Sequence, residues 1–276
     1  MKSQTKNNKF QICKDVKSLY HVQNKVDISL KWVQNYSKFK IGHWKSLILW
    51  EKSMTKMIKK EIGKEIKTCP EEWLVIIKRL WRIPSASFNL AKDISEKLHL
   101  NSLILESIIP DSKLAEGDYS KLSTKKQRIA NIKDVIKYNN SQFVNNKNII
   151  FIDDSYVSGT ILAQIKNLTF SKGAKAFYPF VIADLSKTKN YAQENILNQA
   201  SLEKNKKVDL FTEILNDPHS IITTKLICYF SELNEKDLQR VCKNLSKIAI
   251  KRLNNYAIFK KKDNISRMLD RTKKSI

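Results

Sequence analysis

The stretch from residue 147 to residue 162, K-N-I-I-F-I-D-D-S-Y-V-S-G-T-I-L, constrains the fold of this 276-residue chain more than any other. Its four apolar residues, 149–152, predict a short strand that is buried on both faces, as in a parallel sheet. The adjacent carboxylates Asp153 and Asp154 follow, and the small-residue turn 157–160 leads into a predicted helix over 161–168. The stretch therefore predicts a strand–turn–helix unit with two carboxylates at the carboxyl end of its strand.

This unit has the chemistry to hold a phosphorylated sugar. Backbone N–H groups of the turn, together with the positive end of the helix, can bind a phosphate. The two carboxylates can accept hydrogen bonds from vicinal sugar hydroxyls. An acidic pair that ends a strand can also be no more than a solvated strand-to-loop turn, so the pattern alone leaves both interpretations open.

Apolar patterning on both sides extends the unit into an α/β fold. Further strands are predicted over 73–77, 103–109 and 176–183, with helices in 32–66 and 87–98. Gly173 ends the central helix, so strand, helix, glycine and strand form a βαβ unit with parallel strands. Asp184 ends the last strand on the same edge as the acidic pair, where it can contact a base or metal or cap the following turn. Helical segments continue from residue 191 and form a predicted extension.

These segments, over roughly residues 36–184, resemble type I phosphoribosyltransferases. The motif that binds phosphoribosyl pyrophosphate in that family reads apolar strand, Asp-Asp, variable pair, Thr-Thr-Gly, small residue, Thr. The order of the motifs is closest to that of the ComF (competence) branch. The motifs are, in turn, Y-S-K-F-K-I-G-H-W, a strand with a basic loop, F-N-x-A, Leu-Ser…Arg-x-x-Asn and the Asp-Asp turn. The order is also similar to that of phosphoribosyltransferase-like proteins of bacterial conflict and retron systems. The chain departs from the pattern at Val157, at Ile161 and at Ala86-Ser87.

The resemblance implies a role for each matching residue. Asp153 and Asp154 would bind the ribose hydroxyls, and Arg128 would act in a loop that closes over the site. The phosphates would be bound by Ser155, Tyr156, Val157, Ser158, Gly159 and Thr160, and the pyrophosphate by Lys78, Arg79 and Arg82. The cofactor implied is Mg²⁺ in complex with phosphoribosyl pyrophosphate. Arg128, with Asn131, can alternatively brace a surface helix.

Charge points to a polyanionic partner. The chain has 51 Lys and Arg against 27 Asp and Glu, a formal net charge of +24. Such an excess favours nucleic acid or another polyanion, although an AT-rich genome also enriches lysine. The resemblance to competence and retron proteins implies that the nucleic acid is DNA or an RNA–DNA hybrid. Candidate contacts lie in the basic tail, at Lys260, Lys261, Lys262, Arg267 and Arg271.

Two functional hypotheses follow. The first is a phosphoribosyltransferase-like protein that acts in a process linked to nucleic acid, such as DNA uptake or anti-phage defence. The second is a catalytically inactive effector or subunit with the same fold, which binds nucleic acid or a protein–nucleic acid complex. A protein partner could dock on the C-terminal helices.

Composition also predicts where the protein works and how the chain is divided. No apolar run approaches ~18–20 residues, and the four cysteines are far apart, so a cytoplasmic protein without membrane, zinc or disulfides is expected. The predicted divisions are a basic segment 1–30, a phosphoribosyltransferase-like domain 31–187, a helical extension 188–259 and the tail 260–276.

Overall fold

A parallel sheet forms the centre of the molecule. The computed structural model describes residues 11–79, 84–106, 126, 141–188, 190, 192–202 and 206–257. Within these residues, six strands pair in parallel, in the order β1-β6-β5-β3-β4, and β2 also pairs with β6. The strands are β1 Ile12–Cys13, β2 Lys17–His21, β3 Trp73–Arg79, β4 Ser102–Glu106, β5 Asn148–Tyr156 and β6 Ala176–Asp184.

Nine α-helices are found within the described residues. Three precede the central strand and one follows it directly: α1 Lys31–Lys40, α2 Trp44–Thr68, α3 Ala86–Lys97 and α4 Thr160–Ser171. The others come after the sheet: α5 Ala192–Gln199, α6 Lys207–Asn216, α7 Thr224–Ser231, α8 Glu235–Lys243 and α9 Lys247–Ala257.

The two faces of the sheet bury alternate residues of the same strands, because successive side chains of a strand point in opposite directions. One face presents Ile150 and Ile152 of β5 to a core shared with helices α1, α2 and α3. The other face presents Ile149 and Phe151 to a smaller core that includes Ile165 of α4. β5 is therefore the buried central strand between two helical layers.

Helices α6 to α9 enclose a second large core of their own. Its fully buried members include Phe211, Tyr229 and Phe230. Ile41, in the turn between α1 and α2, is also part of this core. The C-terminal helices thus pack directly against the α1–α2 turn. Helix α5 instead packs with the first core through Leu197.

The predicted fold class is confirmed: the chain has a parallel-sheet α/β core and a helical C-terminal region. The sheet also reaches further towards the N-terminus than expected, because β1 and β2 come from the segment predicted as a basic N-terminal arm. β5 extends to Tyr156, so both aspartates belong to the strand and not to the turn after it. The division of the chain into domains stays a prediction.

Several expectations fall outside the described residues: the positions of Arg82, Arg128 and Asn131, and the tail from residue 260. Cys13, Cys69, Cys228 and Cys242, which all lie among the described residues, form no disulfide with one another. Among the helices that the structure describes, none combines the length and apolar character needed to cross a membrane.

Candidate functional site

The site is built at the carboxyl edge of the sheet, where β3, β5 and β6 end side by side. Asp153 and Asp154 are 5% and 6% exposed. Being adjacent in a strand, they point to opposite faces of the sheet. A buried carboxylate needs a compensating charge, and each of the two finds one on its own face.

Asp153 pairs with Lys78 at the end of β3. β3 and β5 pair in a register that places Ile76 opposite Phe151. Two residues further along both strands, the same register brings Lys78 beside Asp153. The Lys78 ammonium donates to the Asp153 Oδ2, and both side chains are buried. The Asp153 Oδ1 accepts the backbone N–H of Asp154 at 2.7 Å.

Asp154 pairs with Lys40, the last residue of α1. The Lys40 ammonium donates to the Asp154 Oδ2, and the Ser155 hydroxyl donates to the other carboxylate oxygen at 3.2 Å. Tyr36, one turn earlier in α1, is fully buried, with its ring centre 5.9 Å from the Lys40 ammonium nitrogen. Two lysines from different elements thus neutralise the acidic pair.

The two carboxyl groups differ in acidity because their surroundings differ. Burial, helped by repulsion from Asp154, raises the pKa of Asp153 to about 6 despite the attraction of Lys78. Burial also disfavours the charged form of Asp154, but Lys40 and Lys78 outweigh it and lower the pKa of Asp154 to about 2. Burial alone would lower the pKa of Lys40, yet Asp154 holds that pKa well above its ordinary value. Asp154 and Lys40 are therefore a charged pair at neutral pH.

The turn after β5 forms a cradle that opens onto the first turn of α4. Gly159 precedes α4 with φ of +68°, in the left-handed region where glycine is favoured. A Cβ at this position would lie 3.0 Å from the Tyr156 ring. The Ser158 and Thr160 hydroxyls are 2.9 Å apart, and the Ser158 Oγ accepts the Thr160 N–H at a long 3.4 Å. The residue that precedes the helix, Gly159, has no side chain to cap the following N–H groups. The first N–H groups of the helix and the two hydroxyls can therefore receive an anion.

Asp184 ends β6 on the same edge and has a local structural role. Its Oδ1 accepts the backbone N–H of Ser186 at 2.9 Å, and its Oδ2 lies 3.3 Å from the His21 Nδ1. Of the two alternatives from the sequence, the capping of the following turn is the one observed.

The structure brings together most of the residues that the resemblance assigned to the site. Asp153, Asp154, Ser155 and Tyr156 end β5, positions 157–159 form the turn, and Thr160 opens α4. Lys78 and Arg79 end β3 instead of lying in a loop. Their assignment, like that of the cradle residues, stays a prediction.

Lys40 was not predicted from the sequence. A lysine is ordinarily solvated, so one at the end of a predicted amphipathic helix carries no signal of burial by itself. The available hint was its place between two buried residues, Phe39 and Ile41, within Y-S-K-F-K-I-G-H-W. That hint becomes specific only when the fold brings α1 against β5.

A parallel sheet with an Asp-Asp strand end and a glycine-led helix start defines a phosphoribosyltransferase-like protein. The chain belongs to the ComF-like phosphoribosyltransferase family, whose model matches residues 13–268. A comparison with curated proteins finds no match.

Solved structures that resemble the chain are phosphoribosyltransferases at low similarity. A hypoxanthine phosphoribosyltransferase from Staphylococcus aureus is 17% identical, with 49% of this chain and 64% of that chain covered and a TM-score of 0.30. A hypoxanthine-guanine phosphoribosyltransferase from Bacillus anthracis is 14% identical, with 60% and 74% covered and a TM-score of 0.31. The chain thus spans less than two thirds of the Staphylococcus enzyme. Family membership rests on the sequence match and not on these distant likenesses.

Proposed function

We propose that this protein binds phosphoribosyl pyrophosphate, or a related nucleotide, with Mg²⁺ at the carboxyl edge of the sheet, and that it transfers the phosphoribosyl group. One observation carries the proposal: the buried Asp153-Asp154 pair and the Gly159-led start of α4 share one strand end. In this proposal the carboxylates accept hydrogen bonds from sugar hydroxyls, and the turn binds the 5′-phosphate.

Ligand binding would exchange the partners of the two lysines. Each carboxylate already accepts from an ammonium group, so the site carries no net charge. Ribose hydroxyls can replace those donors, which releases Lys78 and Lys40 towards phosphate oxygens, where an ammonium binds strongly. Lys78, at the end of β3, is the candidate for the leaving pyrophosphate.

Carboxylate oxygens suit Mg²⁺, and Asp153 and Asp154 are the residues that would contact it. Because both are engaged by lysines, the ion would arrive with the pyrophosphate, whose charge it would partly neutralise. A ring nitrogen of an acceptor base would form the new bond to the anomeric carbon as the bond to pyrophosphate breaks, through an oxocarbenium-like state, and pyrophosphate would leave. The residues of the chain would act by positioning the ribose and stabilising charge, not by covalent chemistry.

Calorimetric titration of Mg²⁺–phosphoribosyl pyrophosphate into the full chain tests the proposal. We expect Ser158→Ala to bind at least about tenfold more weakly, since a hydrogen bond to a charged group contributes roughly 1.5–3 kcal/mol. Asp153→Asn/Asp154→Asn should abolish binding, with circular dichroism to verify its fold. Asp15→Asn, an exposed carboxylate between β1 and β2, is the control and should bind as the wild type does. Wild-type affinity in both Ser158→Ala and the double variant would refute the assignment.

A second candidate function is a binding protein that keeps the fold without turnover and acts on nucleic acid. The net charge of +24 favours it, as does Ala86-Ser87 in place of the Arg-Gly that the resemblance leads one to expect. Release of pyrophosphate in the presence of purine or pyrimidine bases distinguishes the two. Binding without any release over a range of bases would support the second candidate. The process concerned, DNA uptake or anti-phage defence, and the cytoplasmic location stay predictions.

A further inference from the structure

Helix α2 carries a face made almost entirely of lysines. Seven exposed lysines occur along its 25 residues, at Lys45, Lys52, Lys56, Lys59, Lys60, Lys64 and Lys67. At ~100° per residue they fall within a sector of about 140°. Leu49 is the exposed apolar residue among them. We call this set the α2 lysine face.

No acid interrupts this face. Glu51 is buried on the opposite side of α2, and Glu61 and Glu65 fall outside the sector. Glu61 is engaged by Lys17 of β2 at 3.1 Å. In the described part of the chain, no ion pair neutralises any of the seven lysines, whereas other exposed lysines such as Lys92 and Lys175 have carboxylate partners.

The spacing makes the lysines repel one another. Lys52, Lys56, Lys60 and Lys64 follow at four-residue steps, and like charges at that spacing destabilise a helix. An ordinary solvated helix face alternates glutamate with lysine, as Lys92 and Glu96 do in α3. A face that keeps repelling charges in line is stabilised when a polyanion supplies the missing counter-charges.

The length of the face fits a nucleic acid duplex. Lys45 and Lys67 are 22 residues apart, about 33 Å along the helix axis at ~1.5 Å per residue. One turn of B-form DNA is roughly 34–36 Å long, and a duplex stays straight over that distance. Single-strand binding relies on a series of exposed aromatic stacking platforms. Here the aromatic neighbour of the lysines is Trp44, at one end of the face, whose half-buried ring has its centre 6.0 Å from the Lys45 ammonium nitrogen.

We propose that the α2 lysine face binds the phosphate backbone of a nucleic acid duplex. The proposal locates the interface of the second candidate function and rests on it, but it is independent of phosphoribosyl pyrophosphate binding. It also differs from the tail predicted from the sequence. Because Lys45 begins the face five residues after Lys40, one end of the duplex would lie near the carboxyl edge of the sheet.

The test is fluorescence anisotropy with a labelled 24-base-pair DNA duplex, from 50 to 200 mM salt. The variant is Lys52→Gln/Lys56→Gln/Lys59→Gln/Lys60→Gln. The control is Lys236→Gln/Lys243→Gln/Lys247→Gln/Lys251→Gln, which removes the same charge from exposed positions on α8 and α9. We expect the α2 variant to bind at least tenfold more weakly than the control. Its slope of log affinity against log salt should be shallower by up to about 3.6, or ~0.9 per lost contact.

Four outcomes would overturn the proposal. Equal weakening in both variants would mean that total charge, and not the face, determines binding. Tighter binding of a single strand of the same length, or equal α2-dependent binding of polyglutamate, would exclude a duplex site. A wild type that binds no duplex at 50 mM salt would also remove the second candidate function. Titration of Mg²⁺–phosphoribosyl pyrophosphate into the same α2 variant, which should bind normally, separates these outcomes from failure of the sugar-phosphate site.

Discussion

At the scale of single residues, the Asp153-Asp154 pair is stable because lysines from two other elements neutralise it. Lys40 and Lys78 are themselves nearly inaccessible. An ion pair of this kind adds little net stability relative to an apolar pair, but the loss of one partner leaves an uncompensated buried charge. The lysines are therefore as necessary to the folded site as the carboxylates.

Substitution of Lys40 tests this dependence. We expect Lys40→Met to lower the free energy of unfolding by about 3–5 kcal/mol, since Asp154 stays buried without its cation. The control is Lys175→Met, which removes the ammonium from the exposed pair with Glu72, 3.0 Å apart. That change should cost no more than about 1 kcal/mol. Urea unfolding measures both, and equal losses would show that Asp154 does not depend on Lys40.

The raised pKa of Asp153 gives stability a pH dependence that can be assigned to it. Its folded pKa of about 6 lies above the ~3.9 of an unfolded aspartate. The contribution of Asp153 to the free energy of unfolding is therefore complete below pH ~4 and is lost as the pH rises through 6. Asp154, with a pKa of about 2, acts in the opposite sense: its contribution is present above pH ~4 and is lost as the pH falls through 2.

Thermal unfolding measured from pH 4 to pH 7 tests whether the Asp153 contribution to stability falls as the pH rises. Asp153→Asn removes the Asp153 contribution alone, so the stability advantage of the wild type over this variant should shrink as the pH rises. The expected change is on the order of 3 kcal/mol. A constant difference between Asp153→Asn and the wild type would contradict the raised pKa.

The acidic pair and its turn could be predicted because their signal is local, within residues 147–162. The lysine partners could not, because Lys40 and Lys78 lie 114 and 75 residues from their carboxylates in the chain. Lys78 was expected to face pyrophosphate from a loop. The parallel register instead places it beside Asp153, inside the sheet.

At the scale of elements, the turn from Ile41 to His43 joins the site to the C-terminal helices. The Gly42 carbonyl accepts the backbone N–H of Ile221 at 2.9 Å, and the Thr223 hydroxyl donates to the Lys40 carbonyl at 3.0 Å. The His43 Nε2 lies 3.5 Å from the Glu213 carboxylate. The residue that neutralises Asp154 is therefore held in place from the other side by the second core.

Gly42 is the position where this contact can be broken selectively. Its φ is +94°, and a Cβ would lie 1.8 Å from the Ile221 carbonyl oxygen. We expect Gly42→Ala to destabilise the chain by more than about 2 kcal/mol, from the left-handed backbone and the displaced Ile221 segment. It should also weaken phosphoribosyl pyrophosphate binding through Lys40.

Gly63→Ala is the matched control. Gly63 lies inside α2, and its added Cβ would meet only the Lys59 side chain at 3.5 Å, an ordinary contact. This change should stabilise the helix by roughly 0.5–1 kcal/mol. Thermal unfolding of both variants should thus give shifts of opposite sign. A neutral Gly42→Ala would show that the turn is not closely packed against the C-terminal helices.

Elements with a strong pattern of their own were predicted well, and the N-terminal strands β1 and β2 were not. β3, β6 and α3 can be predicted from apolar runs and periodicity, because the pattern of buried residues lies within the sequence of each element. β1 has two exposed residues and β2 has five, of which the central three are half-buried, and both strands exist because β6 offers an edge to pair with. Such strands depend on a partner more than 150 residues away, which no local pattern indicates.

At the scale of the whole molecule, two packed bodies meet at one edge of the sheet. The sheet and its flanking helices supply the carboxylates, the cradle and the lysines, and the second core fixes the turn after Lys40. The α2 lysine face starts at this same turn and runs along the outside of the first core. Residues 40–45 therefore connect the sugar-phosphate site to the proposed duplex interface.

Amide hydrogen exchange tests the central claim most directly, because it locates the ligand on the intact chain without any substitution. With saturating Mg²⁺–phosphoribosyl pyrophosphate, we predict that the amides of residues 157–162 exchange at least tenfold more slowly. The exchange rates of the amides of α8, in the second core, should be unchanged. Unchanged exchange at residues 157–162 under conditions where calorimetry detects binding would place the ligand elsewhere and contradict the account.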